Sequence, residues 1–267
     1  MSTKRVFIGS DTHCGHRSGL TPPAHRMKPA KDAPRSVKKA AMQGLVLWDW
    51  FSNNVKKAGP FDVGLWNGDL IDGKGEKSGG TEEVEMDRKK QAGWAAEVIR
   101  FVKATKNYMT YGTPYHAGAS EDWEDVVADK ADVTKIENEG HYDINGLIVS
   151  MKHYIGNSSS PVSMATAAVR AMYIQLLWHE LNQQPKANLI IRSHIHRCYY
   201  VGDPARNVAA WVTPALQGLG SKFGIRRCDS LPVHFGFLVL TVKDNREYTI
   251  EPYIAPLELQ AAQTTRV

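Results

Sequence analysis

No run of about 18 consecutive apolar residues occurs in this chain, which excludes a conventional membrane-spanning helix. Cysteine is scarce: three residues, Cys14, Cys198 and Cys228, are an odd and scattered set. That excludes a disulfide framework and reads as reduced thiols in a cytosolic protein. Only Cys14, beside His13, lies where it could join a metal site. Internal repeats, low-complexity tracts and linker-like shifts in composition are missing too, which excludes solenoids and favours one domain over 1–267. Met1-Ser2-Thr3-Lys4-Arg5 passes straight into Val6-Phe7-Ile8, an apolar segment too short for a signal peptide and better read as a strand. A cytoplasmic location without a membrane partner is the expectation, and oligomeric state is left open.

Charge is present in both signs. The net charge is +5 and the isoelectric point about 9.0, a mild basic excess that suits an anionic partner such as nucleotide or nucleic acid. The charge falls in blocks: Lys28 to Lys39 is basic, Glu82 to Asp87 and Glu121 to Asp125 are acidic. Such blocks read as solvated faces.

Hydrophobic periodicity alternates between strand and helix over the first two-thirds of the chain. Arg5 to Ser10, Asp62 to Trp66 and Tyr108 to Tyr111 read as strands. Between them lie a helix from Ser36, stopped by Gly59-Pro60, and a second helix from Thr81 to about Lys106. A short acidic helix covers Glu121 to Lys130. Asn145-Gly146 between Tyr142-Asp143-Ile144 and Leu147-Ile148-Val149 is a strong hairpin signal, and its second arm runs on through Met151 and His153. Met164 to Leu181 reads as an apolar helix and Asn188 to Ile191 as a buried strand. The remainder, 199–254, reads mostly as β. Segments 14–36 and 73–80 are long loops beside the strand ends, and structureless stretches of that length are usually functional. Ser158-Ser159-Ser160-Pro161 reads as a turn. The pattern predicts an α/β fold with two sheets or one mixed sheet.

The residues just beyond the strands carry the chemistry. Trp66-Asn67-Gly68-Asp69-Leu70-Ile71-Asp72 places two carboxylates after a strand, where open α/β sheets bind ligands. The first strand is followed by Asp11 and His13, the third by Thr113 and His116, the hairpin arm by His153, and a later strand by His194 and His196. Imidazoles and carboxylates without thiolate suit Mn²⁺, Fe, Zn²⁺ or Ni²⁺ rather than Mg²⁺ or Ca²⁺. In extended backbone, residues i and i+2 point the same way, so each Asp-x-His or His-x-His pair would face one cluster. Asp11, His13, Asp69, His153, His194 and His196 are more ligands than one ion needs. Two ions sharing a carboxylate would use them all.

Asp11-Thr12-His13, Gly68-Asp69-Leu70-Ile71-Asp72, a glycine-led third motif, His153 and Ser193-His194-Ile195-His196 together resemble the calcineurin-like metallophosphoesterases, from the first strand to about residue 200. The resemblance implies a four-layer αββα sandwich of two mixed sheets with a dinuclear site at the strand ends. It implies Asp11, His13 and His196 on one ion, Asp69 bridging, and His153 and His194 on the other. Two divalent transition-metal ions are expected, manganese first, with iron, zinc or nickel as alternatives. Asp72 is the supporting carboxylate. The family's Gly-Asn-His motif reads Gly112-Thr113-Pro114-Tyr115-His116 here. Thr113 falls at the Asn position as a weaker oxygen ligand, and His116 is a displaced acid, a replacement ligand or a loop residue. This form resembles a subgroup found among phage-encoded and bacterial members. Ser193 replaces a glycine, tolerable unless the position needs positive φ.

The activity implied is phosphoester hydrolysis by a hydroxide held on the metals, and the basic balance with the long basic loop favours a phosphodiester, in nucleic acid or nucleotide. His116 and Asp69 are the catalytic candidates, and Arg197, Arg192 and His16 the candidate substrate contacts, although extended backbone would turn the two arginines outward. If the basic loop folds over the metals, it supplies contacts; otherwise it is a mobile basic surface. A phosphomonoesterase or protein phosphatase is the alternative enzyme. A catalytically weakened scaffold is the alternative class, for which the retromer subunit built on this fold is a precedent.

Overall fold

Val6, Phe7 and Ile8 are completely buried. A run buried on both faces belongs in the middle of a sheet, and β1 (Lys4–Gly9) lies there, between β2 (Val63–Asn67), parallel to it, and β10 (Gly236–Val242), antiparallel. The computed structural model describes residues 3–26, 28–118, 120–158, 160, 163–218, 233–256 and 264–266. Cys228, Ser159 and Pro161 lie outside the described residues. The first sheet continues outward through β3 (Lys106–Thr110) and β4 (Lys135–Glu137) on one side and β11 (Tyr248–Ile254) on the other, in the order β11-β10-β1-β2-β3-β4.

The second sheet has the order β5-β6-β7-β9-β8, built from Gly140–Ile144, Leu147–Met151, Leu189–Arg192, Val208–Val212 and Tyr199–Asp203. Its first two strands form the hairpin that Asn145-Gly146 predicts, with Asn145 at φ 51° and Gly146 at φ 82°. Both sheets are mixed.

Three apolar layers hold four structural layers together. Phe7, Trp66 and Phe237 of the first sheet pack against α1 (Arg35–Ala58), α2 (Arg88–Val102) and α4 (Trp123–Lys130). Val6, Ile8, Leu65, Val149 and Ile191 fill the space between the sheets. The outer face of the second sheet packs Ile190 and Ala210 on Ala168 and Met172 of α5 (Thr166–Glu180). The order is therefore helices, sheet, sheet, helix: the expected αββα sandwich. Among the described residues no helix is long and apolar enough to cross a membrane.

Two elements differ from the sequence expectation. The second helix starts at Arg88 rather than Thr81, because Asp87 caps it by accepting from the Lys89 N–H at 2.8 Å. It ends at Val102, where Lys103 turns left-handed at φ 58°, so Lys106 already belongs to a strand. Residues 81–87 instead pair with the loop after β1: the Arg17 N–H donates to the Glu82 carbonyl and the Val84 N–H to that of Gly15. The acidic blocks are also not simply solvated faces. Glu82 is buried and ion-paired with Arg17, and Glu124 is buried completely.

Candidate metal centre

The loops after β1 and β2 are knitted into one piece before any side chain is considered. Asp11 N–H donates to the Gly68 carbonyl (2.9 Å), His13 N–H to that of Asp69 (3.1 Å), and Cys14 N–H to that of Leu70 (3.0 Å). Asp72 N–H returns the bond to the Cys14 carbonyl at 3.1 Å. Gly68 has φ 72°, and a Cβ there would stand 2.6 Å from the Gly112 Cα and 2.9 Å from the His153 ring. A Cβ on Gly112 would overlap the backbone nitrogen and carboxylate of Asp69. Both glycines are required by close approach.

The ligand candidates do not converge by strand alternation. Asp11, His13, Asp69, His194 and His196 all have left-handed backbone, with φ of 52°, 43°, 52°, 77° and 56°. Such conformations are costly for residues with a Cβ and gather at functional sites. The extended-backbone argument for the i, i+2 pairs is therefore replaced by successive left-handed turns. Ser193 is not among the positive-φ residues. Its hydroxyl sits 2.6 Å from Asn67 Nδ2 and 2.7 Å from Thr213 Oγ1, so serine suits the position.

The structure brings the candidates into overlapping groups whose donor atoms all lie within 4.8 Å of one another: Asp11, His13 and His196; Asp69, His153 and His194; and His13, Asp69 and His116. Asp69 and His13 each belong to two of the groups. His153 Nε2 lies 2.9 Å from Asp69 Oδ2, and His196 Nε2 3.2 Å from Asp11 Oδ1. The imidazoles are oriented from behind. His13 Nδ1 donates to Asp72 Oδ1 (2.8 Å), His153 Nδ1 to the Asn67 carbonyl (2.6 Å), and His116 Nδ1 to the Asp72 carbonyl (2.9 Å). Each bond fixes the tautomer of the neutral ring, in which Nε2 keeps its lone pair toward the cluster, as in metal-binding histidines.

The electrostatics follow from burial and crossed charges. Burial alone would push Asp11 and Asp69 upward, but the surrounding imidazoles, His153 foremost, hold both far below the usual carboxylate range. Burial opposes charge on His153, yet Asp69 and Asp11 raise it to about 9. His13 is raised in the same way, against burial, by Asp11 and Asp72. His116 is lowered, by burial and by His13.

Thr113 is spent on Asp69. Its N–H donates to Oδ1 at 2.6 Å, and its hydroxyl lies 3.0 Å from Oδ1 and 3.2 Å from Oδ2. His116 reaches the cluster despite its displacement, its ring edge-on to His13 at 4.5 Å. The short helix α3 (Pro114–Ala117) turns it back. His16 lines the adjoining pocket, a cavity of about 200 Å³ that also touches Asp69, Asp72, Glu83, Tyr115, His116, His194 and His196. Arg192 and Arg197 do not line it and do not point to solvent. Arg192 is buried against Glu139 (3.3 Å) and the Ile191 carbonyl, and Arg197 reaches Asn157 and the Ser158 carbonyl. The basic loop is folded in: His25 stacks on Trp94 and bonds Glu97, and Arg26 bonds the Gly19 and Thr21 carbonyls. Cys14 donates to the Leu20 carbonyl, away from the cluster, and burial pushes its thiol up to about 12.

Sequence reading missed two buried groups that build the site. Glu124 accepts from the N–H of Leu70 (2.8 Å) and of Gly112 (2.6 Å), clamping the second and third motif loops together. Burial and then Asp69 push it up to about 7. Gln91 accepts from the Gly73 N–H and donates to the Gly73 carbonyl, both at 2.8 Å. The only signal was their helical spacing with apolar neighbours, Val127 and Ala128 for one and Ala95 for the other.

No known family profile matches the chain, and no curated protein sequence matches it. Similar solved structures include a Vps29 single mutant from Entamoeba histolytica, at 13% identity and a TM-score of 0.44 over 94% of this chain and 99% of that one. A structure described as a novel archaeal phosphodiesterase has 13% identity and a TM-score of 0.43 over 93% and 99%. A metallophosphoesterase from Sphaerobacter thermophilus has 10% identity and a TM-score of 0.41 over 96% and 89%.

Proposed function

We propose that this chain is a phosphoesterase dependent on two divalent transition-metal ions, manganese first, and that it cleaves phosphodiesters. The observation that carries the reading is the pair of ligand groups sharing one loop cluster, Asp11/His13/His196 and Asp69/His153/His194. The residues fit the ions on a further ground: His13 Nε2 is buried without a hydrogen-bond partner, and Asp11 Oδ1 and His153 Nε2 meet only other ligand candidates, His196 and Asp69, whereas buried polar atoms rarely stay unpaired unless something else engages them. Asp69 would bridge. Bound there, the ions would polarise a phosphoryl group and lower the pKa of water.

The chain's own groups do the rest. Thr113 holds the Asp69 carboxylate through its N–H and hydroxyl, and Asp72 fixes the ring of His13. His116 is the candidate catalytic histidine: its Nδ1–H is held by the Asp72 carbonyl, which leaves the Nε2 lone pair facing the cluster to accept a proton from the attacking water or to ligate an ion. His16 is the candidate substrate contact. No lysine or arginine lines the pocket among the described residues. A monoanionic diester is therefore a better fit than a dianionic monoester, and nucleotides or nucleic acid are the substrate classes to try.

The test is turnover of bis-p-nitrophenyl phosphate against p-nitrophenyl phosphate by Mn²⁺-loaded protein. Faster diester cleavage is expected; the reverse ratio would make it a monoesterase, and no turnover with ions bound would favour a scaffold. Asp69→Asn should lower turnover by more than about 100-fold, the scale for removing one group that stabilises transition-state charge, and reduce the metal content.

A further inference from the structure

The helix on the outside of the second sheet, α5, is apolar on both of its sides. On the inner side Ala168 and Met172 pack against Ile190 and Ala210. The outer side is Val169, Tyr173, Ile174, Leu177 and Trp178, continued just past the helix by Leu181. These six are exposed, from 37% at Val169 to 56% at Leu177. Their spacing of one, three and four residues gathers them into a single stripe along the helix. Arg170 and Glu180 are the acidic and basic residues of that exposed face. By contrast α2 turns Lys89, Lys90 and Arg100 to solvent. A helix apolar all round belongs in an interior, and monomers rarely leave open a contiguous apolar patch of more than a few hundred Å².

The placement of charge selects what covers this face. Arg170 lies near the start of α5 and Glu180 is its last residue, about 15 Å away along the axis at 1.5 Å per residue. Neither has an ion-pair partner among the described residues. Consider two copies related by a two-fold axis across the middle of the stripe, with their helices antiparallel. Ile174 then faces Leu177 of the partner subunit, and Tyr173 faces Trp178 of the partner subunit. Arg170 falls over the last turn of the partner's helix, beside Glu180 of the partner subunit, and the axis repeats that contact. A cation is favoured there by the free carbonyls of the helix end as well. Parallel pairing would instead set Arg170 against its own copy. Toward β8 the stripe is edged by polar groups: the Tyr173 hydroxyl donates to Asp203 Oδ2 at 3.0 Å, and Arg206 lies over the Tyr173 ring at 5.6 Å. An apolar, aromatic centre with a polar rim is the make-up of a protein interface.

We propose that the outer face of α5 is a self-association surface, on which a second copy of this chain packs its own α5 antiparallel. An isologous contact uses one patch twice. A stripe that is apolar in the middle and oppositely charged at its two ends therefore meets its own complement. The stripe with its rim stands at the small end of the interfaces that stable pairs form, about 800 Å² per partner, so the dimer should dissociate on dilution. A membrane surface is the competing occupant, but a single arginine offers little to hold anionic lipid. The face lies on the far side of the second sheet from the first, whereas the ligand candidates gather at the strand ends. The inference is thus independent of the phosphoesterase reading.

Sedimentation velocity over a concentration series reaching the hundred-micromolar range tests this. Wild-type protein should pass from 29.7 kDa to twice that mass as concentration rises. Leu177→Glu, which sets a charge at the centre of the stripe, should stay monomeric. Arg170→Glu should weaken association by about 10-fold or more, the scale of a like-charge contact across an interface. Combining Arg170→Glu with Glu180→Arg should restore it. Circular dichroism checks that the variants fold. Should Leu177→Glu not fold, the charge reversal and its rescue decide, because both positions are exposed. Wild-type protein that is monomeric throughout would overturn the proposal, and its sedimentation with phosphatidylglycerol vesicles would assign the face to lipid. A Leu177→Glu protein that still dimerises would overturn it by placing the contact elsewhere. A charge exchange that fails to rescue would overturn the antiparallel packing.

Discussion

The two sheets contribute to the centre in different currencies. From the first sheet come the carboxylates Asp11, Asp69 and Asp72, together with His13 and His116; from the second come only imidazoles, His153, His194 and His196. The construction differs as well. First-sheet loops are tied by a ladder of backbone bonds from Asp11 to Asp72, with Glu124 clamping the third loop to the second. Second-sheet loops reach across mainly through side chains: His153 Nδ1 on the Asn67 carbonyl, Asn67 Nδ2 on the Lys152 carbonyl and the Ser193 hydroxyl, Ser10 on Thr213, and the His194 N–H 3.4 Å from Asp11 Oδ2. The carboxylate half is thus a preassembled platform, while the imidazole half is joined to it by side-chain bonds and by the apolar layer between the sheets. Carboxylates brought this close repel unless cations lie among them, so ions or protons are part of what joins the sheets.

That asymmetry can be broken from the second sheet. His153→Ala should cost one ion of the pair relative to wild type, whereas Asp69→Asn, at the bridge, should cost both. Turnover should fall by more than about 100-fold in each. Elemental analysis of the two variants is the check, and equal losses would show that Asp69 does not bridge. A smaller effect is expected on the platform. Glu124→Gln replaces one of two acceptor oxygens by an N–H₂ facing a backbone donor, and leaving a buried donor unsatisfied costs about 1–3 kcal/mol. For a chain of this size that lowers the midpoint of thermal unfolding by roughly 2–4 °C per kcal/mol. Calorimetry showing no loss would mean that the clamp contributes nothing to the platform.

Most of the strands and the convergence of the candidate ligands were legible because they rest on short-range signals. Buried runs such as Val6-Phe7-Ile8 mark strands, Asn145-Gly146 marks the hairpin, and Asp-x-His and Gly-Asp-x-x-Asp sit where strands end. What was not legible depends on contacts distant in sequence. Glu124 looks like any acidic helix residue until Leu70 and Gly112 donate to it, 54 and 12 positions away. Glu83 looks like the start of a helix until the bridge to His16 claims it. The alternation argument for Asp11/His13 and His194/His196 expected them at one cluster, where the structure places them, but through the wrong backbone. Period-two spacing and two left-handed turns bring the same residues together. Arg192, beside the His-x-His, could not be assigned from its position, because its partner Glu139 comes from the turn into another strand.

The comparison between the halves sharpens most gently through pH. In the metal-free protein His153 of the second sheet faces Asp69 and Asp11 of the first, and its pKa is raised from 6.5 to about 9. A histidine whose pKa is higher folded than unfolded adds stability that is complete below the unfolded value and is lost as pH rises through the folded one. The metal-free chain should therefore melt at progressively lower temperature between about pH 6.5 and about pH 9. An ion in the same place requires the neutral imidazole, so its binding releases the proton and strengthens with pH. The Mn²⁺-loaded protein should show no such decline, and the gap between the two melting temperatures should widen across that window. Scanning fluorimetry with and without Mn²⁺ over a pH series reads this directly. Parallel curves would mean that proton and ion do not compete for the His153 nitrogen, and that the cross-sheet junction is made by something other than this exchange.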